Sequence, residues 1–283
     1  MTGSLAALEP EFAAVGGVVS VWCGPVGGPA AYARLADVAH YPASTMKLAV
    51  LVAAYRMADA GALDLDAETP VHNDFTSAAP DGPGFTMDPD YDSDSEVWAK
   101  LGHTATLRWL ARRMIIMSSN LATNLVLERT GYPAATEAWR LAGAEHSVVI
   151  RGIEDYAARG SGRDNLVTAS DLAALLSAIE KERIASGDAC REMREVLLAQ
   201  EKNDDLPSGL PAGTAIGHKS GWVDGIRHDA GVVYPPDAPP YVVAVCTTTD
   251  RPETETMRLI GTVAAASWQD RHTIGAAPPA AAR

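Results

Sequence analysis

The chain is short of basic residues, of aromatics, of cysteine and of long apolar runs. It has 23 Lys and Arg against 36 Asp and Glu, a formal charge of −13, so it repels rather than binds a nucleic-acid backbone or an acidic membrane surface. Its richest apolar stretch, residues 48–55, falls far short of the roughly 20 residues needed to cross a bilayer. No Lys or Arg precedes Arg34, and Glu9 and Glu11 stand in the opening segment. The basic and apolar regions of a signal peptide are therefore missing, and the expected compartment is the cytoplasm. Cys23, Cys190 and Cys246 are odd in number, far apart and without a CxxC pair, so we expect reduced core thiols rather than disulfides or zinc ligands. Also missing are G-x-S-x-G, H-E-x-x-H, G-x-G-x-x-G after a strand and G-x-x-x-x-G-K-[ST], which counts against α/β-hydrolases, zincins and nucleotide-binding folds. No metal and no cofactor are expected.

What the sequence does have is a chain of 283 residues, 47% of them hydrophobic, enough for a sizeable core. After a short helical lead, 15–23 and 30–38 read as strands joined by the turn-rich GPVGGP. Strand signals return only at 214–218, 230–234 and 241–249, and 253–270 then carries Met257, Leu259, Ile260, Val263 and Ala264 at helical spacing. Between them the pattern is helical: 44–60 closed by Gly61, 104–117, 120–129 closed by Gly131, 170–179 and 188–200. The reading is an α/β (α+β) chain in which N- and C-terminal strands share one sheet, 1–42 plus 205–275. An all-helical subdomain, 43–204, is inserted, a disordered tail covers 276–283, and the cleft lies at the seam. The segment 79–96 is long, acidic and rich in Pro and Gly, and reads as a solvated loop able to border the cleft. Its Asp90-x-Asp92-x-Asp94 imitates the start of a calcium loop, but Ser95 and Leu101 replace the Gly and Glu that such a loop needs.

Three short motifs stand at the junctions of these elements. Ser44-Thr45-Met46-Lys47 opens an apolar helix after Pro42, Ser118-Ser119-Asn120 separates two helices, and Lys219-Ser220-Gly221 follows a late strand. A serine in the first turn of a helix sits at the positive end of the dipole, which favours a polarised hydroxyl. Lys47, three residues on, shares its face. A hydroxyl attacks only when a base takes its proton, and an amine serves if burial or a second cation such as Lys219 lowers its pKa. Ser118 can relay a proton to a leaving nitrogen and Asn120 can donate to an amide carbonyl. The backbone N–H after Gly221 can join that of Ser44 in an oxyanion hole. Singly, the motifs read as helix caps and a turn; in this order and at these junctions they point to a serine acyl-transfer site.

On these motifs the chain resembles the class A β-lactamases and the related penicillin-recognising serine hydrolases, which carry S-x-x-K, S-x-N and K-[TS]-G in this order. The resemblance covers residues 15–270, including MSSNLATNLVLE from Met117 and GHKSGWVDGIRHDAGVV from Gly217. It implies an antiparallel sheet flanked by helices, with Ser44 as the acylated nucleophile, Lys47 as its base and Ser118 as proton relay. Asn120 would bind the substrate amide, Lys219 and Ser220 would anchor a substrate carboxylate, and Trp222, after Gly221, would give the second oxyanion N–H. Arg227, on the following strand, is a further candidate for a substrate carboxylate.

The family's omega loop carries a Glu that activates the deacylating water and an Asn that helps to hold it. Here IRGIEDYAARGSGRDN offers Glu154, with Asp155 competing for the place; Ala158 stands where the Asn would be, and the loop is shorter. His228-Asp229 invites a triad reading, but adjacent strand residues face opposite sides, as His218 and Lys219 also must. The expected activity is hydrolysis of a β-lactam, or of a related activated amide or ester bearing a carboxylate, through an acyl-enzyme on Ser44. Kept beside it are a cytoplasmic acyltransferase that passes the acyl group to an amine in the manner of a transpeptidase, an esterase of specialised metabolism, and a non-catalytic ligand-binding module on the same scaffold. Glutaminases of related fold share S-x-x-K but match the other two motifs less well.

Overall fold

The computed structural model describes residues 4–274; the tail expected over 276–283 lies outside them. Five strands form one antiparallel sheet: β1 (Gly17–Pro25), β2 (Tyr32–Arg34), β3 (Ala215–Val223), β4 (Ile226–Tyr234) and β5 (Tyr241–Thr249). Their order across the sheet is β2-β1-β5-β4-β3. The two ends of the chain thus meet along β1 and β5, in a register running from Gly17 opposite Thr249 to Pro25 opposite Tyr241. β2 and β3 are its two edges.

β5 reads as a continuous apolar run because both of its faces are covered. Tyr241, Val243 and Val245 pack with Leu259, Ile260 and Val263 of the Glu253–Gln269 helix, and Val242, Ala244 and Cys246 turn to the core of the helical half. The side-chain period of two therefore sorts one strand between two cores. Around the second core stand the helices Lys47–Asp59, Leu107–Ile116, Asn120–Thr130, Tyr132–Leu141, Ala169–Glu180 and Gly187–Leu198. The Lys47–Asp59 helix is buried on every side from Lys47 to Tyr55, the position that suits a helix without a polar face. Thr106, Ser119, Thr168 and Ser186 cap their helices by accepting a backbone N–H three residues on.

Several expectations are corrected. Residues 104–106 form a short strand pairing with Glu68–Pro70 before the helix starts, and β2 is much shorter than 30–38. The Tyr132–Leu141 helix was not expected after Gly131, which here both ends one helix and precedes the next. Lys219-Ser220-Gly221 lies inside β3 rather than after a strand. All three cysteines are free and buried. Among the described residues no helix is long and apolar enough to cross a membrane.

Candidate active site

At the seam, Ala43–Met46 forms a 3-10 turn that runs into the Lys47–Asp59 helix. Ala43 is held at φ 46°, a left-handed conformation that costs a residue with a side chain about 1–2 kcal/mol. The Thr45 hydroxyl donates to Pro42 O at 2.7 Å and ties the turn down. From Pro42 to Tyr55 every residue is buried except Ser44. The local fold thus presents a single hydroxyl to the cleft.

Two buried lysines converge beside it. Lys47 Nζ donates to Ser118 O at 2.7 Å and Asn120 Oδ1 at 2.8 Å, and lies 3.3 Å from Ser118 Oγ. Lys219 Nζ donates to Ser220 O at 2.7 Å and to Ser118 Oγ at 3.1 Å. Ser118, buried and at φ 62°, is thereby the junction of both ammonium groups. Burial, then the charge of Lys219, pushes Lys47 well below the ordinary lysine range, while Asp92 and Glu154 hold its proton on. Burial brings Lys219 down to about 7, against the pull of Asp229 and Asp205.

Gly221 brings β3 against the turn that carries Ser44. A Cβ at this position would lie 2.6 Å from Ser44 N, 2.9 Å from Thr45 N and 3.2 Å from Pro42 O, so the absent side chain is what permits the approach. Beyond it, Trp222 is exposed to the cleft. Ser220 Oγ is buried without a hydrogen-bond partner.

Ser44, Ser118, Asn120, Glu154, Trp222 and Arg227 line one cavity of about 830 Å³. Lys47, Lys219, Ser220 and Gly221 lie beneath that lining. Glu154 is held at φ 62°. Its Oε2 accepts from Asp88 N at 2.9 Å and its Oε1 is buried without a partner. Burial pushes this carboxyl up, helped by Asp88 and Asp92 and opposed by the Asp88 N–H bond and by Lys47. Asp155 turns elsewhere, accepting from Ser77 Oγ (2.6 Å), Ala78 N (2.7 Å) and Ala158 N (3.1 Å), and so caps the short helix Tyr156–Gly160. Ala158 is fully buried.

The acidic loop is mostly exposed, as expected, and is also clamped to the site. Asp92 Oδ2 accepts from Leu121 N at 2.8 Å and Ser119 Oγ at 3.2 Å, Tyr91 O accepts from Asn120 Nδ2 at 2.9 Å, and Asp94 pairs with Arg113 at 2.5 Å. Carboxylates at the start of a helix suit its unpaired N–H groups and its dipole. Among the described residues no group of three or more His, Cys, Asp or Glu is placed to hold a metal ion.

Arg227 differs from its expected role. It is buried, bound through Nε to Asp205 at 2.5 Å, paired with Glu253, and stacked 5.6 Å from the Trp222 ring centre. Its Nε and Nη1 are thus committed to two carboxylates of the protein, although Arg227 still lines the cavity. His218 meets Asp229 at 2.9 Å, whereas His228 donates through Nε2 to Tyr41 O at 2.8 Å and accepts Thr247 N–H at Nδ1. Neither pair forms a triad with Ser44.

Sequence reasoning missed Asn124 and Asp92. Asn124 is buried and exchanges hydrogen bonds with Ile153 O (2.9 Å) and Ile153 N (2.8 Å), pinning the chain beside Glu154. An Asn four residues after Asn120, among Leu, Ala and Val, was the available signal, because a buried amide needs partners.

The sequence profile of the β-lactamase enzyme family matches residues 4–270. The β-lactamase of Streptomyces lavendulae is 31% identical over 152 residues, 52% of this chain and 50% of that protein. That of Streptomyces fradiae is 30% identical over 162 residues, 53% and 50% of the two. The matched stretches span about half the length of these relatives. A crystal structure of a β-lactamase from Sphaerobacter thermophilus is 27% identical with a TM-score of 0.78, covering 98% of this chain and 97% of that one. The structure of PBP-A, 23% identical with a TM-score of 0.79 over 95% and 96%, shares the fold. With its fold, its site geometry and a profile match over nearly all its length, the chain belongs to the β-lactamase enzyme family.

Proposed function

We propose that the protein is a serine hydrolase that opens a β-lactam, or a related activated amide or ester, through an acyl-enzyme on Ser44. The observation that carries this reading is Ser118 Oγ, set 3.3 Å and 3.1 Å from two buried lysines, beside the single hydroxyl that its turn exposes. In the mechanism, neutral Lys47 takes the Ser44 proton as Oγ attacks the carbonyl carbon. The oxyanion is held by the N–H groups of Ser44 and Trp222. When the C–N bond breaks, Ser118 gives its proton to the leaving nitrogen and recovers one from the lysine pair. Glu154 then draws a proton from the water that attacks the ester, and Ser44 departs with a proton returned through Lys47. The raised pKa of Glu154 suits a group that must hold a proton briefly.

Intact-protein mass spectrometry with a chromogenic cephalosporin tests the reading. The wild type should gain one covalent adduct that clears as colour develops, and Ser44→Ala should gain none. An adduct that forms equally on Ser44→Ala would overturn the assignment of the nucleophile. A second reading, acyl transfer to an amine, is favoured by Ala158, which offers no amide to help Glu154 hold a water. On that reading the adduct persists in water and clears on addition of an amine acceptor.

A further inference from the structure

The cleft has two ends, and they differ in charge. At the β3–β4 hairpin, Arg227 is tied to Asp205 and Glu253, Arg251 pairs with Glu255 at 3.1 Å, and Asp224 adds another carboxylate to the wall. Each guanidinium at that end has its own acid. At the other end Tyr41, Arg151, Tyr156 and Arg159 line the same cavity as Ser44. Here two guanidinium groups lie against one ring: Arg159 is 4.8 Å and Arg151 5.3 Å from the centre of Tyr41.

These two arginines share one carboxylate unequally. Arg151 is buried, with Nε at 2.8 Å and Nη2 at 2.7 Å from Asp164 Oδ1, and its Nη1 donates to Gly152 O at 2.9 Å. Asp164 Oδ1 also accepts from Asn165 N at 3.0 Å. For Arg159 there remains Asp164 Oδ2, at 3.4 Å from Nε, longer than a good charged hydrogen bond. The Arg159 side chain is half exposed. A guanidinium stacked on a ring keeps its edge N–H groups open, in the fork that fits a carboxylate. Glu154 shares this wall, with Oε2 engaged by Asp88 N.

We infer that the shelf formed by Tyr41, Tyr156 and Arg159 is a subsite for a carboxylate borne on the acyl part of the substrate, with Arg159 as its ligand. The inference rests on the acyl-enzyme reading. Glu154 must face the acyl carbon after the leaving group has gone, so the part of the substrate retained at that stage extends towards Glu154 and this shelf. The leaving group lies towards Ser118 and the lysines. An acid on the acyl side therefore meets Arg159, whereas each arginine of the hairpin end is already paired with an acid of its own.

Two penicillins with the same leaving portion test this: benzylpenicillin and its α-carboxy derivative. The readout is the ratio of second-order rate constants for acylating Ser44, carboxylated over neutral, followed by intact mass. At low salt the wild type should favour the carboxylated compound by about tenfold. The ratio should fall towards one in Arg159→Ala, drop below one in Arg159→Glu, and shrink with added salt, since the arginine is half exposed. A wild-type ratio near one overturns the subsite while leaving the acyl-enzyme intact. A high ratio that survives Arg159→Ala overturns the assignment to Arg159. Failure of both compounds to label Ser44 overturns instead the acyl-enzyme reading on which the subsite rests.

Discussion

The wall of the cleft that, on the proposed reading, takes up an acyl group and the wall that would release it are built differently. On the first, Lys47, Ser118 and Lys219 are buried, interlocked by hydrogen bonds and mounted on helix ends and a sheet strand. On the second, Glu154 sits in a loop, half-buried, with one carboxylate oxygen held by Asp88 N–H and the other unpartnered. Preorganised groups cost no reorganisation during reaction, whereas a carboxylate held at one oxygen only has its water still to place. On the proposed reading, the difference makes acylation the prepared half of the cycle, and release the half that sequence changes can tune.

The largest way to break this comparison is Glu154→Gln. Removing the base should slow clearance of the adduct by about 10²–10⁴-fold, the usual range for general-base catalysis, while the adduct still forms. Stopped mixing with mass detection separates the two steps, and an unchanged clearance rate would remove Glu154 from the release wall. Next comes Gly221→Ala on the opposite wall. Its Cβ would need the space of Ser44 N at 2.6 Å, a backbone atom that cannot swing aside. Displacing the serine by a fraction of an ångström should cut acylation by about 10²-fold and leave the clearance of whatever adduct forms nearly as before. A G221A variant that acylates normally would mean that the contact between β3 and the serine turn is not needed.

How much of this was legible in the sequence follows from how local each feature is. The apolar run 241–249 and the motifs holding Ser44, Ser118 and Lys219 are contiguous, and the physics of a helix start or a strand is written within a few residues. Arg227 is the opposite case: its strand position was readable, but Asp205 and Glu253 lie 22 and 26 residues away on other elements. No periodicity announces such partners. The acidic loop hid its clamp for a related reason. Its composition is that of solvated chain, yet Asp92 lies 29 residues before Leu121, whose N–H it accepts. The helix Tyr132–Leu141 was hidden because Gly131 read as a stop, although Pro133 just after it fits the first turn of a helix, where its missing N–H is no loss.

The smallest expected effect joins the two walls. Asp92 and Glu154 both raise the pKa of Lys47, Asp92 the more strongly of the two. Asparagine at position 92 can still accept from Leu121 N and Ser119 Oγ through its carbonyl oxygen, so Asp92→Asn deletes a charge while keeping the clamp. With that charge gone, Lys47 gives up its proton at lower pH, and on the proposed mechanism neutral Lys47 is the base for acylation. The alkaline-going limb of the acylation rate should therefore move towards acid by a few tenths of a pH unit to about one unit, making the variant a few-fold faster on the acid side. Lys219, which titrates at about 7, should bring the rate down again at higher pH in both proteins as the cation beside Ser118 is lost. Glu154→Gln should move the same limb in the same direction by less, but with slowed release, whereas Asp92→Asn should clear its adduct at the wild-type rate. A falling limb that moves towards acid in place of the rising one would show that Lys47 acts in its charged form, and a rising limb that stays where it is in Asp92→Asn would pass the role of base to another group.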